Sequence, residues 1–132
     1  MSDITDWIQE AGVELSHPFL RCDAAIASRI TRLAKSKFVE GNPRVWWLSL
    51  SRPFATHDSS SLTFADVLPA RADRVWFIPE DDSKELPLYD LSPDDIELIR
   101  KNCPLFEYYA LDKDFRWLVI ETDHDRFVVC ME

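Results

Sequence analysis

Length, composition and charge limit what this protein can be. The chain has 132 residues, 46% of them hydrophobic and 12% aromatic, which predicts one globular domain over residues 1–132. No apolar run approaches the roughly 20 residues that span a bilayer, and the N-terminal segment lacks a basic region followed by an apolar one, so we expect a cytoplasmic protein that binds no membrane. The two glycines exclude glycine-rich phosphate loops, and a net charge of −9 disfavours nucleic acid as a partner.

The three cysteines fit a reducing compartment. Cys22, Cys103 and Cys130 are too few and too scattered for a disulfide framework, and their odd number leaves at least one unpaired. Small buried apolar side chains are the ordinary role of such cysteines. The histidines and cysteines do not occur at metal-ligand spacing, so we expect no metal and no cofactor.

The first half of the chain is predicted to hold two helices and one strand. Apolar residues at helical spacing indicate a short helix that Ser2 and Asp3 can cap and that Gly12 ends. Residues 21–38 form a longer helix, the only basic element in the chain. Residues 44–50, RVWWLSL, read as a strand that is apolar on both faces, and residues 51–61 read as a polar loop.

Four further elements are predicted before residue 104. They are one helical turn at residues 63–68, a strand at 74–78, an acidic loop at 79–87 and a helix over 91–103. In that helix Ser92 fits the N-cap and Pro93 the first helical position. Asp94 and Asp95 then lie where the helix dipole favours anions.

The C-terminal part is predicted to be a three-strand meander. Its strands are residues 105–111, 115–122 and 126–131, joined by short turns at 112–114 and 123–125. The middle strand is apolar on both faces, so it should be central and covered on both sides. The predicted fold class is α+β: a five-stranded, mostly antiparallel sheet with this meander at its C-terminal end and helices packed on it.

The triplet Asp123-His124-Asp125 offers oxygen and imidazole ligands, but its geometry disfavours a metal site. Asp112 and Asp114 could add ligands only if the two turns were close together. The turns lie at opposite ends of the middle strand, so these five residues cannot close on one ion. We therefore interpret the triplet as a hairpin turn with a binding role.

A catalytic alternative follows from one possible hairpin register. If the first hairpin folded about Lys113, Cys103 would lie opposite Asp123 and beside His124. A thiol next to an imidazole is the arrangement used by small hydrolases and transferases. Otherwise Cys103 is an ordinary core residue that closes its helix.

Aromatic and acidic residues in and beside the meander indicate a protein-binding surface. Residues 53–132 carry 8 Lys and Arg against 18 Asp and Glu, so this part alone has a charge of −10. Carboxylates accelerate association with a cationic partner, while aromatic residues supply contact area. The residues expected at this surface are Glu80, Asp81, Asp82, Tyr109, Asp112, Asp114, Arg116, Asp123, His124 and Asp125.

A family resemblance points in the same direction. The segment FEYYALDKDFRWLVIETDHDRFVV combines a Tyr-Tyr pair, a polar turn, Trp-Leu, an acid and His-Asp. In this combination it resembles a segment of small uncharacterised bacterial proteins. Together with its size, acidity and tryptophan content, the chain resembles immunity proteins of bacterial toxin systems, including contact-dependent inhibition. The resemblance implies a cytoplasmic protein that neutralises a cognate, basic, nuclease-like toxin domain and has no catalytic residues of its own.

A third possibility is a housekeeping adaptor. Its docking element would be the basic helix, through Arg29, Arg32 and Lys35, and its partner would be acidic. The three hypotheses therefore place function at the acidic surface, at Cys103 with His124, or on the basic helix.

Overall fold

A computed structural model describes residues 4–132, which form a seven-stranded sheet with helices on both faces. The helices are α1 (Ile4–Glu14), α2 (Ala24–Phe38), α3 (Phe64–Val67) and α4 (Pro93–Asn102). The strands are β1 (Leu20–Arg21), β2 (Phe54–Asp58), β3 (Val75–Pro79), β4 (Tyr89–Leu91), β5 (Tyr108–Leu111), β6 (Trp117–Glu121) and β7 (Arg126–Met131). All neighbouring strands are antiparallel, and their order is β1-β4-β3-β5-β6-β7-β2.

The α+β class is confirmed, but the expectation of five strands is wrong. β1 and β4 were not predicted, and β2 occupies the segment expected to be a polar loop. β5, β6 and β7 pair with one another in succession. They do not form a separate C-terminal unit, because β3 pairs with β5 on one side and β2 with β7 on the other.

The strand expected at residues 44–50 is instead a 3-10 helix, Trp46–Ser49. In a strand, successive side chains point to opposite faces, which would separate Trp46 from Trp47. The tight helical turn brings both tryptophans to the same end of the sheet. There the Trp46 ring stacks on Tyr109, and the Trp47 indole N–H donates to Glu107.

Two hydrophobic cores lie on opposite faces of the sheet. One contains Phe77, Tyr108 and Phe127 and is covered by α1, α3 and α4. The other contains Tyr109 and Ile120 and is covered by α2 and the 3-10 helix. Every residue of β6 is buried, which confirms that this strand is central and covered on both sides.

The helix predicted from residue 91 is confirmed and begins at Pro93. The Ser92 hydroxyl accepts the N–H of Asp95, and the Asp95 carboxylate accepts the N–H of Ser92, a reciprocal capping box. The N-terminal helix continues past Gly12 to Glu14. Its predicted caps, Ser2 and Asp3, lie outside the described residues. No helix in the described part of the chain is long and apolar enough to cross a membrane.

The register of the β5–β6 hairpin differs from the one assumed for catalysis. Tyr108 pairs with Glu121 and Leu111 with Leu118, so the turn spans residues 112–116 rather than 112–114. Phe115 adopts a positive φ of 59° in this turn, and its N–H donates to the Asp112 carbonyl at 2.9 Å. The pairing of position 103 with position 123 is therefore wrong.

A buried ion pair fastens α4 to β6. Glu121 is 3% exposed, and the Arg100 guanidinium donates to its two oxygens at 2.8 and 3.1 Å. Arg100 also donates to Glu97 at 2.7 Å and lies 4.9 Å from the centre of the Phe127 ring. These carboxylates raise the pKa of Arg100 and outweigh the opposing effect of its burial.

Removing the Arg100 charge should destabilise the fold. In Arg100→Met, Glu121 stays buried without its cation, so we expect the free energy of unfolding to fall by about 3–5 kcal/mol. Lys101→Met is the matched control, since that side chain is exposed and should change stability by less than about 0.5 kcal/mol. Urea denaturation measures both variants, and equal losses would contradict a specific role for the Arg100–Glu121 pair.

Candidate functional site

The Tyr109 hydroxyl joins two carboxylates at one end of the sheet. It donates to Glu80 Oε2 at 2.7 Å and lies 3.5 Å from Glu107 Oε2. It also accepts the backbone N–H of Trp46 at 3.2 Å. The Trp46 ring stacks on the phenol at 4.0 Å with an interplanar angle of 5°. The phenol is therefore held firmly between the two acids.

A phenol has one proton, so it cannot donate to both carboxylates at once. Because the shorter bond is to Glu80, the Glu107 oxygen at 3.5 Å meets the lone-pair side of the hydroxyl. A protonated Glu107 could donate to Tyr109 there, whereas an ionised one could not. The Tyr109 hydroxyl therefore donates to Glu80, and the short hydrogen bond to Glu107 comes from the Trp47 indole N–H.

Glu107 is 8% exposed. Its burial raises the pKa of the carboxyl, and the nearby charges of Asp123 and Glu80 raise it further. The Trp47 indole N–H donates to Oε1 at 2.8 Å and opposes this shift, as does the charge of Arg44. Burial dominates, so the ionised form of Glu107 is disfavoured.

Glu80 lies half-buried where β3 ends. Its backbone N–H donates to the Glu107 carbonyl at 2.9 Å, which continues the pairing of β3 with β5. Burial raises the pKa of the Glu80 carboxyl despite the hydrogen bonds from Tyr109 and from the N–H of Asp82. Within residues 4–132, neither Glu80 nor Glu107 forms an ion pair with Lys or Arg.

These acids border a cleft of about 290 Å³, which we call the Glu80–Glu107 cleft. The Trp47 ring forms part of its wall and meets the His124 ring edge-on, with 6.4 Å between ring centres. His124 Nε2 lies 3.3 Å from the Asp123 carboxylate. The cleft is lined by Ile4, Trp7, Arg44, Val45, Trp47, Glu80, Asp82, Leu105, Phe106, Glu107, Asp123 and His124.

Four of the predicted surface residues line this cleft: Glu80, Asp82, Asp123 and His124. Tyr109 is fully buried beneath it, so it acts on the cleft only through the two glutamates.

The remaining predicted residues lie outside the cleft. Asp81 accepts the N–H of Ser83 in the neighbouring loop. Asp125 adopts a positive φ of 60° in the β6–β7 turn and lines a different cavity, beside Arg100.

The Asp112–Arg116 turn lies at the opposite end of β6 from the cleft. The Asp112 carboxylate accepts the N–H of Arg116 at 3.1 Å, a bond that stabilises the turn. The Arg116 guanidinium lies 3.6 Å from the exposed carboxylate of Asp114. The two acidic turns therefore belong to separate surfaces.

Sequence reasoning missed Glu107, Trp47 and Arg44. The spacing of Glu107 and Tyr109 was an available signal, because residues two apart on a strand share a face. Trp47 was missed because residues 44–50 were interpreted as a strand. The proximity of Arg44 depends on the 3-10 helix that follows it, which the sequence pattern did not indicate.

Cys103 and His124 have different neighbours. The Cys103 thiol donates to the Trp7 carbonyl at 3.6 Å, and burial and the charge of Glu10 raise its pKa. A catalytic thiol needs the opposite shift. Among residues 4–132, no group of three His, Cys, Asp or Glu side chains could hold a metal ion.

No protein-family model, no curated protein and no solved structure shows significant similarity to this chain.

The raised pKa of Glu107 should appear in the pH dependence of stability. A carboxyl whose pKa is raised by folding contributes stability that is full below its unfolded pKa of about 4.3 and is lost as pH rises through the folded pKa. In Glu107→Gln, the amide can accept from Trp47 and donate to Tyr109 as a protonated Glu107 would. We therefore expect this variant to gain stability relative to wild type as pH increases from about 4 to 7.

Urea denaturation at a series of pH values measures this difference. Asp114→Asn is the matched control, because it removes one charge from an exposed side chain. A difference between Glu107→Gln and wild type that stayed constant with pH would contradict the assignment.

Proposed function

We propose that this protein is a non-enzymatic cytoplasmic immunity protein whose Glu80–Glu107 cleft binds a basic surface of a cognate, nuclease-like toxin domain. The observation that carries the proposal is the pair of desolvated glutamates on either side of the Tyr109 hydroxyl, with no cation paired to them within residues 4–132. A Lys or Arg side chain from a partner would stabilise their ionised forms.

Charge around the cleft supports a cationic partner. Asp82 and Asp123 line the cleft with the two glutamates, whereas Arg44 is the basic residue in its lining. The chain carries a net charge of −9, so its long-range field also attracts basic proteins. Such a field increases the rate of association more than the lifetime of the complex.

Aromatic side chains at the cleft supply contact area. Trp47 is half-buried, and His124 at its edge is exposed. Tryptophan is enriched at the energetic centres of protein interfaces. The buried Trp46–Tyr109 stack lies directly beneath, so the contact surface rests on a rigid support.

One observation favours the adaptor as a second candidate. A cleft of about 480 Å³ between α2 and the loop at residues 84–87 is lined by Arg32, Lys35 and Lys84, with Glu85 as its acid. These three cations form no ion pair in the described part of the chain. An acidic partner would neutralise them.

The electrostatic mechanism can be tested once the partner has been captured. Affinity capture from cytosol of the native host, with elution by increasing salt, should release one stoichiometric basic protein. For that protein we expect the variant Glu80→Gln/Asp82→Asn/Glu107→Gln/Asp123→Asn to associate roughly 10–100-fold more slowly at low ionic strength and to lose most of its salt dependence.

The control for net charge is Asp112→Asn/Asp114→Asn, which removes two charges at the opposite end of β6 and is compared with Asp82→Asn/Asp123→Asn, which removes two charges at the cleft. Stopped-flow mixing or surface plasmon resonance measures both rates. If the control slowed association as much as this double cleft variant, net charge alone would account for the effect, and the cleft would have no special role.

Thiol reactivity tests the hydrolase alternative. The raised pKa of Cys103 should make its alkylation by iodoacetamide slow near pH 7, and urea unfolding should remove this protection. Peptide mass spectrometry identifies the modified cysteine. Rapid modification of Cys103 in the folded protein would favour the enzyme.

A further inference from the structure

Strand β2 forms one edge of the sheet, and both of its faces are uncovered. It pairs with β7 over Phe54–Asp58, and all five of its side chains are exposed. Phe54 as a residue is 54% exposed. β2 therefore depends on its backbone pairing with β7 rather than on a buried face.

The hydrogen bonds at the two ends of β2 indicate which of its backbone groups face outward. The Pro53 carbonyl accepts the N–H of Met131 at 3.4 Å, and the Ser59 N–H donates to the Asp125 carbonyl at 3.0 Å. In an antiparallel pair the residues of one strand alternate between facing the partner and facing away. Odd-numbered residues of β2 thus face β7, while Phe54, Thr56 and Asp58 present their N–H and C=O groups outward.

The devices that usually protect an edge strand do not protect this one. Proline protects an edge when its nitrogen faces outward, but Pro53 lies at a position that faces β7. The strand FATHD contains no lysine and no bulge. At the other edge of the sheet β1 is only two residues long, which is itself a protection. β2 is therefore a template for pairing with another strand.

We propose that β2 pairs antiparallel with β2 of a second copy of this chain, about a twofold axis at Ala55. In this register Phe54 lies opposite Thr56 of the second copy, and the two residues exchange two backbone hydrogen bonds. Arg52 lies opposite Asp58 of the second copy, which places opposite charges side by side twice in the dimer. The edge is therefore complementary to itself.

Of the three registers compared, this one adds an ion pair between the copies, from Arg52 in the bend before β2 to Asp58, which also lies opposite Arg126 of its own chain. Outward-facing groups can also meet about an axis at Thr56 or at Phe54. The first places Asp58 opposite Phe54, and the second places it opposite Leu50, so neither pairs it with a cation. Arg52 Nε donates to the Lys37 carbonyl and Asp58 Oδ1 accepts from Ser60, so both side chains are already held in place.

The proposed interface is small, because it consists mainly of one short strand from each copy. Interfaces of this size belong to the weak, reversible class, and we expect a dimer that forms as protein concentration increases. The dimer is independent of the proposed immunity function, since its evidence lies in β2 and its ends.

Sedimentation velocity over a range of concentrations tests the dimer. Wild type should shift from monomer to dimer, and Thr56→Pro should weaken dimerisation by more than about tenfold, because it removes an outward N–H from each copy. The β2–β7 hydrogen bonds do not use that N–H, so the variant should still fold. Thr56→Val keeps the N–H and should dimerise like wild type.

Cysteine cross-linking tests the register. In Ala55→Cys the two new thiols lie opposite each other at a non-hydrogen-bonded pair, where Cα atoms are about 4.5 Å apart, so mild oxidation should yield a covalent dimer. His57→Cys lies on the same face but opposite Pro53 of the second copy, and should not cross-link above the wild-type background. A wild type that stays monomeric, a dimer that survives Thr56→Pro, or equal cross-linking of the two cysteine variants would overturn the proposal.

Discussion

The burial of β6 on both faces is the constraint on which the fold depends. A strand whose five residues are all buried needs a cover on each side, so α1, α3 and α4 occupy one face and α2 with the 3-10 helix the other. The strand also contains one acid, Glu121, at its end. Arg100 neutralises that acid and so fixes the position of α4. The polar residue of this strand is thereby tied to one covering helix, which also packs on the sheet through Ile96 and Ile99.

The acids of the Glu80–Glu107 cleft differ from Glu121 in the donors that they contact. Glu121 has a guanidinium within hydrogen-bonding distance, whereas Glu80 and Glu107 have a phenol, an indole and the backbone N–H of Asp82. Neutral donors compensate only part of the cost of burying a carboxylate. Residues that reduce stability in the free protein are typical of functional sites, because selection for stability alone would replace them.

The sequence predicted those elements that are specified by residues close together in the chain. The capping residues of α4 and the apolar run of β6 were sufficient to define both elements. β2 could not be predicted in this way, because a strand without a buried face has no hydrophobic alternation, and its partner lies far away in the sequence. The cleft was predicted only in part: Glu80, Asp82 and Asp123 were expected at a binding surface. Glu107 and Trp47 were not, because the strand end and the 3-10 helix that place them at the cleft are defined by tertiary packing.

The position of β2 in the sheet also affects how the chain folds. β2 precedes β3 in the sequence, yet among residues 4–132 its partner strand is β7, so that Phe54 lies opposite Cys130. Contacts between such distant residues raise the contact order and slow folding. During synthesis, β2 leaves the ribosome before β7 has been made, so it remains without a partner strand for that time. Its polar composition reduces the risk of aggregation during this interval, because an apolar strand left unpaired would aggregate.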